Sequence, residues 1–389
     1  MAAAGAWLTL ERSAAMSAVA AAHSGPHPSP PAMACAVLRC QGASARVEAG
    51  CAGVRRAGSG AECQVADRWH LGSDTKAVTA VLASVCVERG EVGWGTSVEA
   101  ALPGLEVHEG YAGVTLEQLL THTSGAPGTA PPDAWALAWR SEEAGDPPAE
   151  QRRGFVAALL QLPPAAARGS YEYSNQGYAI AGHMLETLLG SGYEDLVTAR
   201  VLQPLGITSA GFGAAPGDED PWGHAQADGE EGWSPCDPAV LGSDNPTAIS
   251  PAGRLHMSIE DWGRFVAAVV SPEVAESKLG LPLSAWRRLH EPLVQMPEGA
   301  ERYGLGWLVC ERPWAAGGRA LTHSGSNTMN YCTAWAVPAS EQQGEESGKV
   351  GAWAVLVACN GGGEAAAAAV GAAVDEIVLG ELSAAAASI

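Results

Sequence analysis

A serine followed three residues later by a lysine, Ser73-Asp-Thr-Lys76, is the first place where spacing in this sequence implies chemistry. It lies in HLGSDTKAVTAVLASV, where Gly72 signals a turn and the residues after it favour helix. Positions i and i+3 share a helix face, so hydroxyl and amine can approach each other. A serine needs a base to become a nucleophile, and a lysine becomes one when burial or a neighbouring charge lowers its pKa. A helix N-terminus adds a backbone N–H and positive potential suited to an oxyanion. The same four residues also read as an ordinary helix cap, and spacing alone leaves both readings open. The chain holds only three lysines, Lys76, Lys278 and Lys349, so one inside such a pattern stands out.

Two further constellations follow. Tyr173-Ser-Asn175 immediately precedes a helical pattern. A phenol near an ammonium is easier to ionise and can shuttle a proton. An asparagine offers a donor and an acceptor to a substrate amide. Equally, Tyr173 could pack on a helix start with Asn175 as its cap. His323-Ser324-Gly325-Ser326 ends the strand-like ALTH. Glycine lets a ligand approach the backbone, and a strand edge can bind substrate strand-fashion. The Ser326 N–H would supply a second oxyanion donor, and His323 would be protonated or relay a proton.

Strands and helices must position these groups. Residues 32–39 and 46–54 read as a hairpin, and 306–310, 319–323, 331–337 and 352–359 as later strands, with 338–349 a solvated loop. The middle reads helical. Thr115 and Gln118 form a capping box. Residues 176–189 place Tyr178, Ala181, Met184, Leu185 and Leu188 on one face. Ser258 caps a helix with Trp262, Phe265, Val266 and Val269 at i, i+3, i+4 and i+7. Residues 363–379 carry an apolar stripe. Residues 124–148, with five prolines, and the acidic stretch 216–251 read as long loops. The expected fold class is therefore α+β. An antiparallel sheet from both chain ends is flanked by helices, and a mostly helical lobe leaves a cleft between them. Residues 1–30 read as a tail or linker and 31–389 as one catalytic domain. Its α/β lobe spans about 31–90 and 250–389, and its helical lobe about 91–249.

The chain has 389 residues, with Lys+Arg 22 against Asp+Glu 43 and a formal charge of −21. Such acidity repels a nucleic-acid backbone or an anionic membrane. A hydrophobic content of 47% with 17% charged residues is globular. No membrane span or convincing signal peptide is visible, and a cytoplasmic location is expected over a secreted one. Nine cysteines without metal-like spacing read as reduced thiols, with Cys35, Cys86, Cys332 and Cys359 in the core. No zinc motif and no G-x-S-x-G elbow occurs, so no metal or cofactor is expected. Among the histidines, His122 reads as structural, and His224 and His256 as candidates to line the cleft.

The ordered set S-x-x-K, Y-x-N, H-x-G resembles the serine β-lactamase/penicillin-binding-protein superfamily, in its class C β-lactamase-like branch. TLEQLLTHTSG, PLGIT, SPAGRLHMSIEDWGRF, YGLGW and NGGG look like the same branch, from about residue 31 to the C-terminus. The resemblance implies a serine hydrolase that forms an acyl-enzyme on Ser73. Lys76 and Tyr173 would share the acid–base work, and Asn175 would hold Lys76 and the substrate amide. Ser73 and Ser326 N–H groups would form the oxyanion hole. One departure is that class C β-lactamases carry Lys-Thr-Gly where this chain has His323-Ser-Gly, which favours an ester, amide or peptide over a lactam. True β-lactamase activity and a non-catalytic scaffold that keeps the fold are the rival readings. The substrate itself lies in loops the sequence does not decode. The acidic stretch is expected to rim the cleft and disfavour anionic substrates.

Overall fold

Apolar strands from the two ends of the chain come together in one sheet. The computed structural model describes residues 7–226, 232–297, 299–315, 318–339 and 351–387. Its early strands are β1 (Leu8–Arg12), β2 (Ala32–Gln41), β3 (Ser44–Gly53) and β4 (Arg68–His70). Short β5 (Gly211–Phe212), β6 (Gly223–Ala225), β7 (Ser234–Cys236) and β8 (Leu255–Ser258) follow. The last are β9 (Val294–Gln295), β10 (Arg302–Tyr303), β11 (Leu308–Glu311), β12 (Arg319–Ser326), β13 (Tyr331–Val337) and β14 (Trp353–Cys359). Among the described residues, nine strands make the main sheet in the order β1-β3-β2-β14-β13-β12-β11-β10-β9. All its pairings are antiparallel except β1 with β3. A second sheet joins β4-β8-β5.

Alternation along the strands builds two cores. Ala34, Ala36 and Leu38 of β2 join Ala354 and Leu356 of β14 in one core, while Met33, Cys35 and Val37 join Val355 and Val357 in the other. Both faces are covered, which is why these strands read as continuous apolar runs. The helix Ile259–Val270 packs on β2, β3 and β14 on the first side. Its Trp262, Phe265, Val266 and Val269 are buried, each contributing roughly 1.5–3 kcal/mol. Ser258 Oγ accepts the Asp261 N–H at its start, as the sequence predicts. The second side is covered by the helices Ala14–His23 and Gly363–Ala387.

Three expectations need correction. Residues 8–23 are no tail: β1 extends the sheet beside β3, and the helix Ala14–His23 buries Met16, Val19 and Ala20. Residues 124–148 are not all loop. The helix Pro132–Ala144 begins on a proline, and Pro148 begins the next helix, Pro148–Leu160. Proline is well suited to a first helical position, where its missing N–H has no helical partner to lose. In 216–251, β6 and β7 form a hairpin. Residues 340–349 of the expected solvated loop lie outside the described residues, as do Asp228, Glu230 and Glu231. No described helix is long and apolar enough to cross a membrane.

Candidate active site

Ser73 sits in a single 3₁₀ turn, Gly72–Asp74, that runs into the helix Thr75–Glu88. Twelve of the fourteen residues in that helix are buried, so the turn is fixed from below by packing. Thr75 Oγ1 ties it further, donating to the Gly72 carbonyl and accepting the Leu255 N–H. Ser73 itself is half-buried and open on one side.

Lys76 rises on the same helix face and is completely buried. Its Nζ is 2.9 Å from Ser73 Oγ, 2.7 Å from Asn175 Oδ1 and 2.8 Å from the Ala252 carbonyl oxygen. Burial pulls its pKa well below 10.5, against a smaller opposing pull from Asp74. Asp74 is buried beside it, and burial raises its carboxyl well above 3.8, so both groups are driven toward neutrality. A neutral amine has two N–H groups and one lone pair. The Asn175 and Ala252 oxygens take the two N–H groups. The lone pair is then left for the Ser73 hydroxyl hydrogen.

Tyr173 completes the group, its hydroxyl donating to Ser73 Oγ at 2.8 Å. Desolvation pushes its pKa above the usual tyrosine value, against a smaller opposing pull from the bond to Ser73. Ser174, not Asn175, caps the helix Asn175–Leu189, accepting the Gly177 N–H. That leaves the Asn175 side chain free to hold Lys76. His122 is structural in a specific way that its sequence context did not reveal. Its Nδ1 accepts the Ser174 N–H and its carbonyl the Glu172 N–H, and its ring lies 4.5 Å from that of Tyr173.

The third segment closes the site from the sheet. β11 pairs with β12 only as far as Leu308–Thr322, so His323–Ser326 keep one edge free of it. Gly325 is required for close approach: a Cβ there would lie 1.9 Å from the Leu71 carbonyl oxygen and 2.9 Å from Ser73 N. A Cβ on Gly72 would likewise lie 2.3 Å from Ser326 N. Backbone at 71–73 therefore presses directly on backbone at 325–326. Ser324 Oγ turns to Thr333. His323 is placed as a neutral ring and not as a cation. Its ring is buried, Nδ1–H donates to the Ser324 carbonyl, and Nε2 accepts the Tyr303 hydroxyl. Burial, with help from Lys76, pushes its pKa down to about 3.

The other candidates lie elsewhere. His224 is buried and bridges the Ala57 N–H and the Asn360 carbonyl; His256 donates to the Gly213 carbonyl. Neither is hydrogen-bonded to Ser73, Lys76 or Tyr173. The acidic stretch does approach the site, since His224 N–H donates to the carbonyl of Met329, three residues beyond Ser326. Its Asp220 is matched by Arg68, whereas Asp218 and Glu219 are exposed and reach Arg56 and Arg55 only loosely, Arg55 being shared with Asp67. Among the described residues no cluster of three or more His, Cys, Asp or Glu could hold a metal.

This geometry can be set beside known proteins. The Beta-lactamase family model matches residues 31–379. The unguisins hydrolase ungD of Aspergillus violaceofuscus is 32% identical over 220 residues, which cover 53% of this chain and 37% of that protein. Penicillin-binding protein 4 of Amycolatopsis lactamdurans is 29% identical over 236 residues, covering 57% and 56%. The chain thus spans less than two thirds of either relative. In fold it is similar to a D-amino acid amidase from Ochrobactrum anthropi, at TM-score 0.71 and 17% identity over 95% of this chain and 99% of that one.

Proposed function

The chain belongs to the β-lactamase family, and on that premise we propose that it is a serine hydrolase acting through an acyl-enzyme on Ser73. One observation carries this reading: Ser73 Oγ lies within hydrogen-bond reach of both a buried, pKa-depressed Lys76 and the Tyr173 hydroxyl. Neutral Lys76 takes the Ser73 proton as Oγ attacks a carbonyl carbon. The negative oxygen that forms lies between the Ser73 and Ser326 N–H groups. Tyr173 then passes a proton to the leaving group and is reprotonated from Lys76. Water, activated by the same pair, frees the acyl group and restores Ser73.

The substrate is an ester, amide or short peptide laid along the free edge of His323–Ser326. Buried, neutral His323 gives no cation for a lactam carboxylate. The names of relatives agree with that range: an unguisins hydrolase, a lovastatin esterase and a D-amino acid amidase.

A fluorophosphonate probe should label the wild-type protein on Ser73, and Ser73→Ala should abolish labelling. Equal labelling of the variant would overturn the proposal. A panel of nitrophenyl esters, D-amino-acid amides and a chromogenic cephalosporin then sorts the substrates. Turnover of the first two classes well above the cephalosporin is expected. No turnover of any would favour a scaffold that keeps the fold.

A further inference from the structure

Asp244 belongs to the long acidic stretch, 171 positions beyond Ser73, yet it reaches both sides of the oxyanion site. On one side stands His70, at the end of β4 and two residues before Gly72. His70 Nδ1 accepts the Gly72 N–H at 3.0 Å, so that nitrogen carries no proton. The proton is on Nε2, which donates to Asp244 Oδ2 at 2.9 Å. On the other side stands Asn327, directly after Ser326. Its Oδ1 accepts the N–H groups of Met329 and Asn330, which turns its amide nitrogen outward. That nitrogen donates to Asp244 Oδ1 at 3.0 Å.

One buried carboxylate thus grips the segment that presents the Ser73 N–H and the segment that presents the Ser326 N–H. These segments touch through Gly72 and Gly325 with no room for a side chain between them. A shift in either is passed to the other. Burial alone would raise the Asp244 carboxyl, but His70, Arg254 and Asn327 together hold it below the ordinary value, so it stays ionised. An ionised carboxylate only accepts, which suits donors arriving from His70 and Asn327 on opposite sides and the Asn245 N–H as a third. An amide at the same place would turn N–H toward one of them.

We propose that Asp244 is a positioning residue for the oxyanion hole, acting through His70 on the Ser73 N–H and through Asn327 on the Ser326 N–H. The proposal rests on Ser73 being the acylated nucleophile.

Three variants test it: Asp244→Asn, Asn327→Asp and the exchange Asp244→Asn/Asn327→Asp. Asn327→Asp keeps the oxygen that holds the 327–330 turn, removes the amide donor to Asp244 and sets a second carboxyl against it in its place. The exchange again sets one donor against one acceptor between 244 and 327, and costs only the Asn245 N–H its bond to position 244. Each is measured as kcat and KM per probe-titrated site, which removes unfolded protein from the count. Affinity for an arylboronic acid is measured alongside, because its tetrahedral adduct on Ser73 places a negative oxygen between the two N–H groups. Either single variant should lower kcat and boronate affinity together by roughly 10–100-fold, short of the 10²–10³ for losing a donor outright. KM should stay within about twofold, since ground-state binding uses these donors less. The exchange should recover a large part of both. Unchanged kcat and boronate affinity per titrated site would overturn the proposal, as would a change confined to KM. If Asp244→Asn does not fold, Asn327→Asp decides by the same readouts. Failure of the probe to label wild-type Ser73 would instead sink the hydrolase reading on which this rests.

Discussion

Lys76 has three oxygen partners, so its protonation state decides what Ser73 can do. Charged, it donates to all three and leaves the serine proton no acceptor on that side. Neutral, it can take that proton. Burial favours the neutral form, so kcat/KM should rise with pH through a value below the ordinary lysine 10.5. Tyr173 is pushed the other way, and the fall should come only above the ordinary tyrosine 10.0. Lys76→Arg keeps a cation that does not deprotonate, and should cost about 10²–10⁴ in kcat/KM at every pH. A variant with near wild-type activity and the same acidic limb would remove Lys76 as the base. Ser73, Lys76, Tyr173 and Asn175 were legible because local spacing links them in pairs. His70 and Asp244 were not, and His122 was legible only as a structural residue. No periodicity connects Asp244 to His70 across 174 positions.

Elements were legible where a local rule fixes them. The capping box at Thr115 and the Ser258 cap are present as predicted, because a cap is satisfied within three residues. The helix Pro132–Ala144 was missed because prolines were read as breakers when one stands at a helix start. The first strand and helix were missed for another reason. Ala-rich 14–23 shows little contrast between faces, and only its docking reveals a buried one. That docking is tight: a Cβ on Gly50 of β3 would lie 2.2 Å from Ser17 N. Deleting residues 1–24 should therefore do more than shorten the chain. It uncovers β3 and withdraws buried Leu8, Met16 and Val19, costing roughly 5 kcal/mol at 1.5–3 kcal/mol for each large side chain. Melting should drop on the order of 5–10 °C. An unchanged melting temperature would mean that the segment is a tail after all.

At the scale of the whole molecule, two electrostatic effects compete as pH falls. The chain carries −21 at pH 7, and titrating it toward its pI near 4.8 relieves self-repulsion, which by itself stabilises the fold. Buried histidines oppose this. Burial pushes His256 down to about 4, and His290 and His323 down to about 3. The unfolded chain titrates its histidines near 6.5, so below that value it binds more protons than the folded one. Stability must then fall as pH falls from about 6.5 toward the folded values, by roughly 1.4 kcal/mol per pH unit for each histidine. Carboxylates held low, such as Asp244 and Glu186, add a loss of the same sign. Theirs begins only near the ordinary carboxylate range, so between pH 6.5 and 5 the histidines decide. Burial pushes His122 and His224 down as well, so five histidines pull this way against one raised carboxyl, Asp74, and together they outweigh relief among surface charges that salt already screens. Urea unfolding between pH 7 and 5 should show stability falling steadily, and His290→Leu should flatten the slope by about a quarter. Its ring nitrogens serve no catalytic group; Nε2 has no hydrogen-bond partner, and the ring's one bond, to the Val269 backbone, is lost in the variant and lowers stability without steepening the slope. Stability that climbs toward pH 5 would show that self-repulsion, and not histidine burial, sets the acid behaviour of this fold.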